Sequence, residues 1–446
     1  MGVERKDSRW KKVKKARLVA RGFEDDIEGV RTDSPTINKE SLCFAYIVIA
    51  GKKWEIHSLD IKAAFLQGNP VSREVYLKPP REANMKGKLW KLKQCVYGLN
   101  DASRKFYMKV KEELIKVGCK CSRLDSAVFT YHNGGLQGLL MSHVDDFLWS
   151  GTEMFKTSVI DRIRKTFQIS SENSTLFKYV GLQIQQCEEG IYITQKEYAN
   201  EIEEIEIAAS RKTEANQPIN EDEKSALRSV IGQLNWLATQ TRPDLSYDVC
   251  DLATSLKQGT VELITKANRI IRKAKSQDVH LHFPKMDLDN LSVTCFADAS
   301  YGNLKDGGSQ GGMFIEVRSG VHTCPVEWQS KRIRRAAKST MAAETIAMVE
   351  AMDTAIYMSE LISEILYNNT RSIPVQAFTD NLSLYQSAHS TTAITDRRLR
   401  IEIAIVRQTI AEKQVSLSWI DNKKQLADCL TKKGCDSKKL LARIAD

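Results

Sequence analysis

The sequence predicts an α+β chain whose last third is an α/β layer domain, and three patterns carry that expectation. Up to about residue 205, short apolar runs mix with helical stretches. Between about 206 and 285 the pattern is almost wholly helical, with Leu227, Ile231, Leu234 and Leu237 at helical spacing. From about 289, strand-type alternation returns. A length of 446 residues allows two or three domains, each with its own core.

The composition narrows the class. At 42% hydrophobic and 27% charged, with 9 prolines and 23 glycines, the chain is neither collagen-like, disulfide-stapled nor fully disordered. No apolar run approaches the roughly 18 residues of a membrane helix, so a soluble protein with no membrane partner is expected. The opening MGVERKDSRW has no signal-type apolar stretch, and Lys6 breaks the myristoylation pattern. Ten cysteines form no C-x-x-C pair, and Cys119 and Cys121 are too close for zinc spacing. Free, mostly buried thiols in a reducing compartment are expected.

Lys plus Arg number 66 against 56 Asp plus Glu, a net charge of +10. The opening segment concentrates Arg5, Lys6, Arg9, Lys11, Lys12, Lys14, Lys15, Arg17 and Arg21. Further basic clusters are Lys266/Arg269/Arg272/Lys273/Lys275 and Lys331/Arg332/Arg334/Arg335/Lys338. Each alone fits a solvated face. Three clusters with aromatics nearby point toward a polyanion such as nucleic acid.

The elements of the last region follow in order. Val293, Cys295 and Ala297 alternate up to Asp298, a half-buried strand. Gly307, Gly308, Gly311 and Gly312 bracket a turn into a second strand around Met313 to Val317, and a third surrounds Val326 to Trp328. A proline-free helix covers about 337–366, then come a strand at Val375 to Phe378, two helices, a strand through Val415, Leu417 and Trp419, and a last helix. This order predicts a five-stranded mixed sheet flanked by helices. Upstream, the polar stretch Thr213 to Glu223 around Pro218 reads as a linker.

Four acids fall on otherwise apolar elements of this region. Asp298 and Asp380 end strands, Glu344 shares a helical stripe with Met341 and Met348, and Asp428 follows Leu426 and Ala427. An unpaired buried carboxylate is costly, so such groups are normally paired or bound to metal. Each acid taken alone is more readily a cap or an ion-pair partner, Asp380 above all. Four converging acids favour divalent cations with hard oxygen ligands and two-metal phosphodiester hydrolysis. A second set lies upstream: Asp145 and Asp146 at a hairpin tip within LLMSHVDDFLW, and Asp60 within HSLDIKAAF. Adjacent aspartates raise each other's pKa unless a cation compensates, which suits a nucleotidyl-transfer site as well as a polar turn.

Specific strings then carry a resemblance. KARLVARGF at 15–23, SLDIKAAFLQG at 58–68, VYGLNDASR at 96–104, HVDD at 143–146, FKYVGL at 177–182, GQLNWLA at 232–238 and TRPDL at 241–245 resemble the reverse transcriptase of copia-type LTR retrotransposons. ADA at 297–299, WQSK at 328–331, AET at 343–345, TDN at 379–381 and QLADCLTK at 425–432 resemble the RNase H of the same Pol polyprotein. Each string is short. Together, and in this order, they are specific and span nearly the whole chain.

The resemblance implies a right-hand polymerase with fingers and palm over 1–205, a helical thumb or connection over 206–288, and an RNase H-like domain over 289–446. It implies that Asp60, Asp145 and Asp146 are palm metal ligands and that Asp298, Glu344, Asp380 and Asp428 are RNase H metal ligands, all seven catalytic. Two Mg2+ or Mn2+ ions per active site are the implied cofactors. Phe65 resembles the aromatic gate against a ribose 2′-hydroxyl, with a core aromatic as the equal alternative. Lys15 and Arg17 resemble residues meeting triphosphate or template, although a basic tail explains them almost as well. Tyr179 and Gly181 resemble the primer-grip hairpin, the basic helix of 269–275 a duplex-tracking element, and the 328–338 segment a handle for the hybrid. The implied partners are an RNA template, a DNA primer, an RNA–DNA hybrid and dNTPs, with integrase or other Pol and Gag products beside them. The implied location is the cytoplasm, with virus-like particles and the nucleus as alternatives.

Three departures from the family pattern stand out. His143 replaces the usual Tyr before Val-Asp-Asp, and RLRIE at 398–402 stands where Lys-His-Ile-Asp is common, with no histidine after His389. Only 14 residues precede Lys15, so the fingers are expected to be N-terminally truncated. The expected function is RNA-directed DNA synthesis with RNase H activity. The alternatives are RNase H activity only, and a non-catalytic retrotransposon relic or co-opted nucleic-acid binder.

Overall fold

The computed structural model describes residues 2–6, 9–13, 18–25 and 28–445. Contacts divide the chain into two compact units. The first takes residues 1–37 and 57–173; the second takes 38–56, which carry helix α1 (Lys39–Lys52), and 174–446.

In the first unit β1 (Gly2–Lys6) and β2 (Arg9–Val13) pair antiparallel. Then follow β3 (His57–Ile61), a short pair of β4 (Tyr76–Leu77) and β5 (Trp90–Lys91), β6 (Lys120–Cys121), β7 (Val128–His132), β8 (Leu136–His143), β9 (Asp146–Gly151) and β10 (Ile169–Ser174). Six of these strands form one sheet in the order β10-β3-β9-β8-β7-β6. Helix α2 (Ala102–Lys116) contributes Phe106, Tyr107, Val110 and Leu114 to a core with Leu59, Phe129, Leu140, Phe147 and Trp149 from the sheet. Phe155, Val159, Ile160 and Ile163 close that core from α3 (Glu153–Phe155), one π-helical turn (Lys156–Ile160) and α4 (Asp161–Thr166).

Two of the sequence strings meet here through glycine. Val19 bridges Tyr97, and Ala20 N–H donates to the Tyr97 carbonyl at 2.7 Å. A Cβ on Gly98 would lie 2.0 Å from the Ala20 carbonyl oxygen, and one on Gly22 would lie 2.1 Å from that of Gly98. Only glycine permits this backbone approach.

The second unit opens with a four-stranded antiparallel sheet of β11 (Leu176–Tyr179), β12 (Leu182–Gln186), β13 (Gly190–Thr194) and β14 (His280–Pro284). Residues 280–284 are therefore a strand, not the tail of a helical region. Their short His-Leu-His-Phe-Pro run buries both faces, which helical-spacing arguments do not separate from a helix end. Between these strands lie α5 (Lys196–Glu201), α6 (Glu221–Gln240), α7 (Ser246–Ser255) and α8 (Val261–Ser276). The expected stripe of Leu227, Ile231, Leu234 and Leu237 is buried, with Val230 and Ala238 beside it. A capping box of Asn220 and Glu223 starts α6. The stretch read as a linker is tied down by backbone bonds from Ile219 to Gly259, Val261 to Gln217 and Glu262 to Ala215. The TRPDL string is structural: the buried Arg242 guanidinium donates to both carboxylate oxygens of Asp244, at 2.8 and 2.9 Å, and to the Ala274 carbonyl.

The last layer matches the expected order of three strands, helix, strand, two helices, strand and helix. It comprises β15 (Ser292–Ser300), β16 (Ser309–Ser319), β17 (His322–Ile333), α9 (Thr340–Tyr367), β18 (Val375–Thr379), α10 (Leu382–His389), α11 (Arg397–Ala411), β19 (Ser416–Trp419) and α12 (Lys438–Ala445). The sheet order is β17-β16-β15-β18-β19, antiparallel across the first three strands and parallel across the last three. Gly311 and Gly312 lie inside β16 rather than in the turn, which is made at 302–308 with Gly302 and Gly307 at positive φ. Ser339 caps α9, and Asn368, at φ 52, ends it. Glu316, fully buried on β16, accepts two bonds from the Arg443 guanidinium at 2.7 and 2.8 Å, and so anchors α12 to the sheet.

Candidate metal centres

Register brings the first centre together. Phe296 of β15 pairs with Phe378 of β18 in the parallel ladder, so the residues two further on, Asp298 and Asp380, come side by side. Asp380 directly follows β18, whereas Asp298 lies inside β15, which runs on to Ser300 because its antiparallel pairing with β16 continues. Asp298 lies opposite Gly312, where a Cβ would come within 2.8 Å of Leu430 and Thr431. That missing side chain lets the segment carrying Asp428 rest on the sheet. One oxygen from each of Asp298, Asp380 and Asp428 falls in a group within 4.8 Å.

The environment suits a cation. Burial pushes the Asp298 carboxyl upward, and the charges of Asp428 and Asp380 push the same way, against Lys432 and Thr431. Glu344, on α9, is pushed up to about 8, first by burial and then by Asp298 and Asp380. Its Oε2 is buried without a hydrogen-bond partner, while the side chain bonds to Asn381. A buried carboxylate oxygen with no donor is costly unless something positive faces it. Glu344 is close enough to feel the trio but is not one of the three mutually adjacent ligands.

Asp380 is not the helix cap. Asn381 is, its Oδ1 accepting from Leu384 N–H at 2.9 Å, and this leaves the Asp380 carboxylate to the centre. Residues with no role assigned from the sequence complete the surroundings. Buried Gln425 donates to the Ala297 carbonyl at 3.0 Å and to Asp380 Oδ1 at 3.4 Å. Thr431 Oγ1 donates to Asp298, and Lys432 Nζ bonds Asp428 Oδ1 and lies 3.4 Å from Asp298 Oδ2. All three belong to the QLADCLTK string, which was the available signal.

The second centre sits on the β8–β9 hairpin. His143 pairs with Asp146 across a two-residue loop of Val144 and Asp145, the expected hairpin tip. Val144 takes φ 59, a strained value for a β-branched residue. Asp60 of β3 is the ladder partner of Asp146, and the Asp145 carbonyl accepts from Ile61 N–H at 3.0 Å. The Asp146 carboxyl is pushed up to about 6, first by burial and then by the charges of Asp145 and Asp60. This trio is looser: among the described residues, Asp298, Asp380 and Asp428 are the acids grouped within 4.8 Å.

The other singled-out residues fall as follows. Phe65 is half-buried, its ring 4.9 Å from that of Tyr97, and it packs on two core clusters. Tyr179 is buried, and Val180 and Gly181, at φ 47 and 75, make the type I′ turn between β11 and β12. The Tyr179 ring is thus not an exposed part of that hairpin. Lys15 and Arg17 lie outside the described residues. Trp328 is buried, its indole donating to the Ala238 carbonyl at 2.8 Å with Lys39 Nζ 3.2 Å over the ring, so it belongs to the core and not to a surface handle. Many basic-cluster side chains are paired internally: Lys266 with Asp251, Arg272 with Glu204, Lys331 with Glu350, Arg332 with Asp306, Arg335 with Glu402 and Lys338 with Asp396.

Residues 3–219 match the reverse transcriptase (RNA-dependent DNA polymerase) family. Similarity continues beyond that stretch. The Retrovirus-related Pol polyprotein from transposon RE1 of Arabidopsis thaliana is 25% identical over 436 residues, covering 94% of this chain. The chain is similar to copia-type Pol polyproteins over nearly its whole length. A second Arabidopsis thaliana relative, from transposon RE2, is also 25% identical, over 437 residues. The Transposon Ty1-GR2 Gag-Pol polyprotein of Saccharomyces cerevisiae is 24% identical over 457 residues. This chain spans 29% of the length of the RE1 and RE2 polyproteins and 25% of the Ty1-GR2 one. Among solved structures, prototype foamy virus protease-reverse transcriptase aligns over 92% of this chain and 71% of its own, at 8% identity and TM-score 0.23. RNase H1 from Halobacterium salinarum NRC-1 aligns over 31% of this chain and 94% of its own, at 17% identity and TM-score 0.24.

Proposed function

We propose that this copia-type Pol chain copies RNA into DNA at Asp60, Asp145 and Asp146, and hydrolyses the RNA of the resulting hybrid at Asp298, Glu344, Asp380 and Asp428. The observation that carries the reading is the convergence of Asp298, Asp380 and Asp428 within 4.8 Å, with Glu344 Oε2 buried and unpartnered beside them. These are hard oxygen donors, and they fit Mg2+ or Mn2+. Such ions, two per site, supply Lewis-acid stabilisation of developing oxyanion charge and an activated oxygen nucleophile. The chain's own residues build the anionic cradle, set its spacing through strand register, and exclude water on the Glu344 side. Gln425, Thr431 and Asn381 hold the carboxylates in fixed orientations.

In this reading residues 1–205 are fingers and palm, 206–288 a thumb-like connection and 289–446 the RNase H-like domain. Phe65 screens the sugar of an incoming dNTP, the 180–181 turn lies along the primer, and Lys15 and Arg17 meet template or triphosphate. The substrates are an RNA template, a DNA primer and the RNA–DNA hybrid. Primer extension on a labelled RNA template, with Mg2+ or Mn2+, tests both activities in one tube. Asp145→Ala is expected to abolish DNA synthesis and spare RNA cleavage; Glu344→Ala is expected to do the reverse. If neither substitution altered its activity, the site assignment would be wrong.

A narrower reading, RNA cleavage without synthesis, is favoured by one observation: the RNase H-type trio is tightly grouped, whereas the polymerase-type aspartates are looser. RNA cleavage in the same tube without primer extension would select it.

A further inference from the structure

Lys432 stands four residues beyond Asp428, one helical turn on, and its backbone N–H donates to the Asp428 carbonyl at 3.2 Å. That turn brings its ammonium back over the carboxylates. Nζ bonds Asp428 Oδ1 and lies 3.4 Å from Asp298 Oδ2, so one cation bridges two of the three grouped ligands. Thr431 stiffens the arrangement, with its Oγ1–H donating to Asp298 and Oγ1 lying 3.1 Å from the Asp428 carbonyl. The Asp298 side chain is 4% exposed and that of Asp428 18%, whereas that of Lys432 is 40% exposed. The carboxylates are held; the lysine has an open path to water.

An ammonium at this position satisfies the same lone pairs that a divalent ion would use. Carboxylate oxygens cannot point at both, and a unit positive charge a few ångström from a divalent ion repels it. Without any cation, the grouped carboxylates would repel one another in a partly desolvated setting. We infer that the Lys432 ammonium is a built-in competitor of the divalent ion: it holds the Asp298–Asp428 edge of the centre before metal arrives and leaves that edge when metal binds. Lys432 is thus a positioning residue that keeps the empty centre assembled and sets its metal affinity. The inference rests on the proposed reading of this centre as a metal site.

The test uses the full chain and reads metal binding directly. Binding of Mn2+ is followed by the electron-paramagnetic-resonance signal of the free ion, for the wild type, Lys432→Met, Lys432→Arg and Asp298→Asn. Thermal melting with and without Mg2+ accompanies it. The site lost in Asp298→Asn is expected to bind Mn2+ on the order of tenfold more tightly in Lys432→Met, the effect of removing one nearby charge in a water-like dielectric. Lys432→Arg keeps the charge and is expected to bind like the wild type. Metal-free Lys432→Met should melt lower, and Mg2+ should recover more of its stability than it adds to the wild type. Lys432→Gln repeats the test if the Met variant does not fold.

Unchanged Mn2+ affinity in Lys432→Met, with Asp298→Asn still removing the site, would overturn the inference and leave the metal centre standing. Equal loss of melting temperature with and without Mg2+ would make Lys432 merely structural and also overturn it. If Asp298→Asn removed no Mn2+ binding, the metal-centre reading would fail, and the inference with it.

Discussion

Asp60 stands directly opposite Asp146 in the ladder between β3 and β9, so the fold places two carboxylates at one cross-strand pair. Like charges directly opposite one another destabilise a sheet. The Asp146 carboxyl is accordingly pushed up to about 6, first by burial and then by the charges of Asp145 and Asp60. The sign follows from proton counting. Between the ordinary carboxyl value near 4 and about 6, the folded chain holds a proton that the unfolded chain has released, so stability falls as pH climbs through that window. Asp60→Asn is expected to raise the metal-free melting temperature at pH 8, to change it little at pH 4, and to abolish DNA synthesis. Mg2+ should stabilise the wild type at pH 8 more than the variant. Melting scans at the two pH values check this.

Val144 links the two strands with a left-handed backbone, at φ 59, immediately before Asp145. A β-branched residue there costs roughly 1–2 kcal/mol, which glycine does not incur, although glycine costs about 0.5–1 kcal/mol more to order from the unfolded state. Val144→Gly is therefore expected to stabilise the chain, by on the order of 0.5–1 kcal/mol. Urea unfolding measures it, and a destabilised variant would show that packing of the valine side chain outweighs the backbone strain.

How far the sequence could be read depended on where the signal was local. The β15–β19 region was legible because strand alternation and a proline-free helix pointed to one architecture, and the observed order is the expected one. The strand at His280–Pro284 was not, because five residues buried on both faces have no period to read. For Asp380 the alternative of a helix cap rested on the propensity of Asp at a strand-to-helix turn; the neighbouring Asn381 fills that role instead. The basic clusters overstated the free charge, since their acidic partners, such as Glu204 for Arg272 and Glu402 for Arg335, lie far away in sequence. Lys432 is the same blind spot reversed: its partner Asp298 is distant in sequence, and only the turn at Asp428 brings them together.

Trp328 sits in a string that resembles a nucleic-acid handle, yet its ring is buried and its indole N–H is used internally. Trp328→Phe removes the bond to the Ala238 carbonyl and leaves that buried acceptor short of a donor, at a cost of about 1–3 kcal/mol. Stability should fall by that amount while affinity for an RNA–DNA hybrid, measured on the folded variant, stays at the wild-type level. A drop in hybrid affinity without loss of stability would return Trp328 to the binding surface.

Glu113 is a buried acid paired with cations of the first unit, and it provides an acid-side check on that unit. Its side chain is 3% exposed. Oε2 accepts from the Arg162 guanidinium at 3.1 and 2.8 Å, and Oε1 accepts from Lys116 at 2.7 Å. Helix α2 is thereby clamped to α4. The Lys116 and Arg162 hydrogen bonds, in that order, hold the Glu113 carboxyl down at about 2, against the burial that would raise it. A depressed carboxyl stabilises the fold fully above its unfolded value, about 4.5, and loses that contribution as pH falls through about 2. Glu113→Gln should cost about 2–3 kcal/mol at pH 7, because it leaves the Arg162 and Lys116 charges without their counter-ion. The difference from wild type should shrink steadily between pH 4.5 and pH 2, where the wild-type carboxyl itself becomes protonated. Denaturant titrations across that range decide the point: a gap that stayed constant with pH would mean that Glu113 acts through packing rather than through its charge.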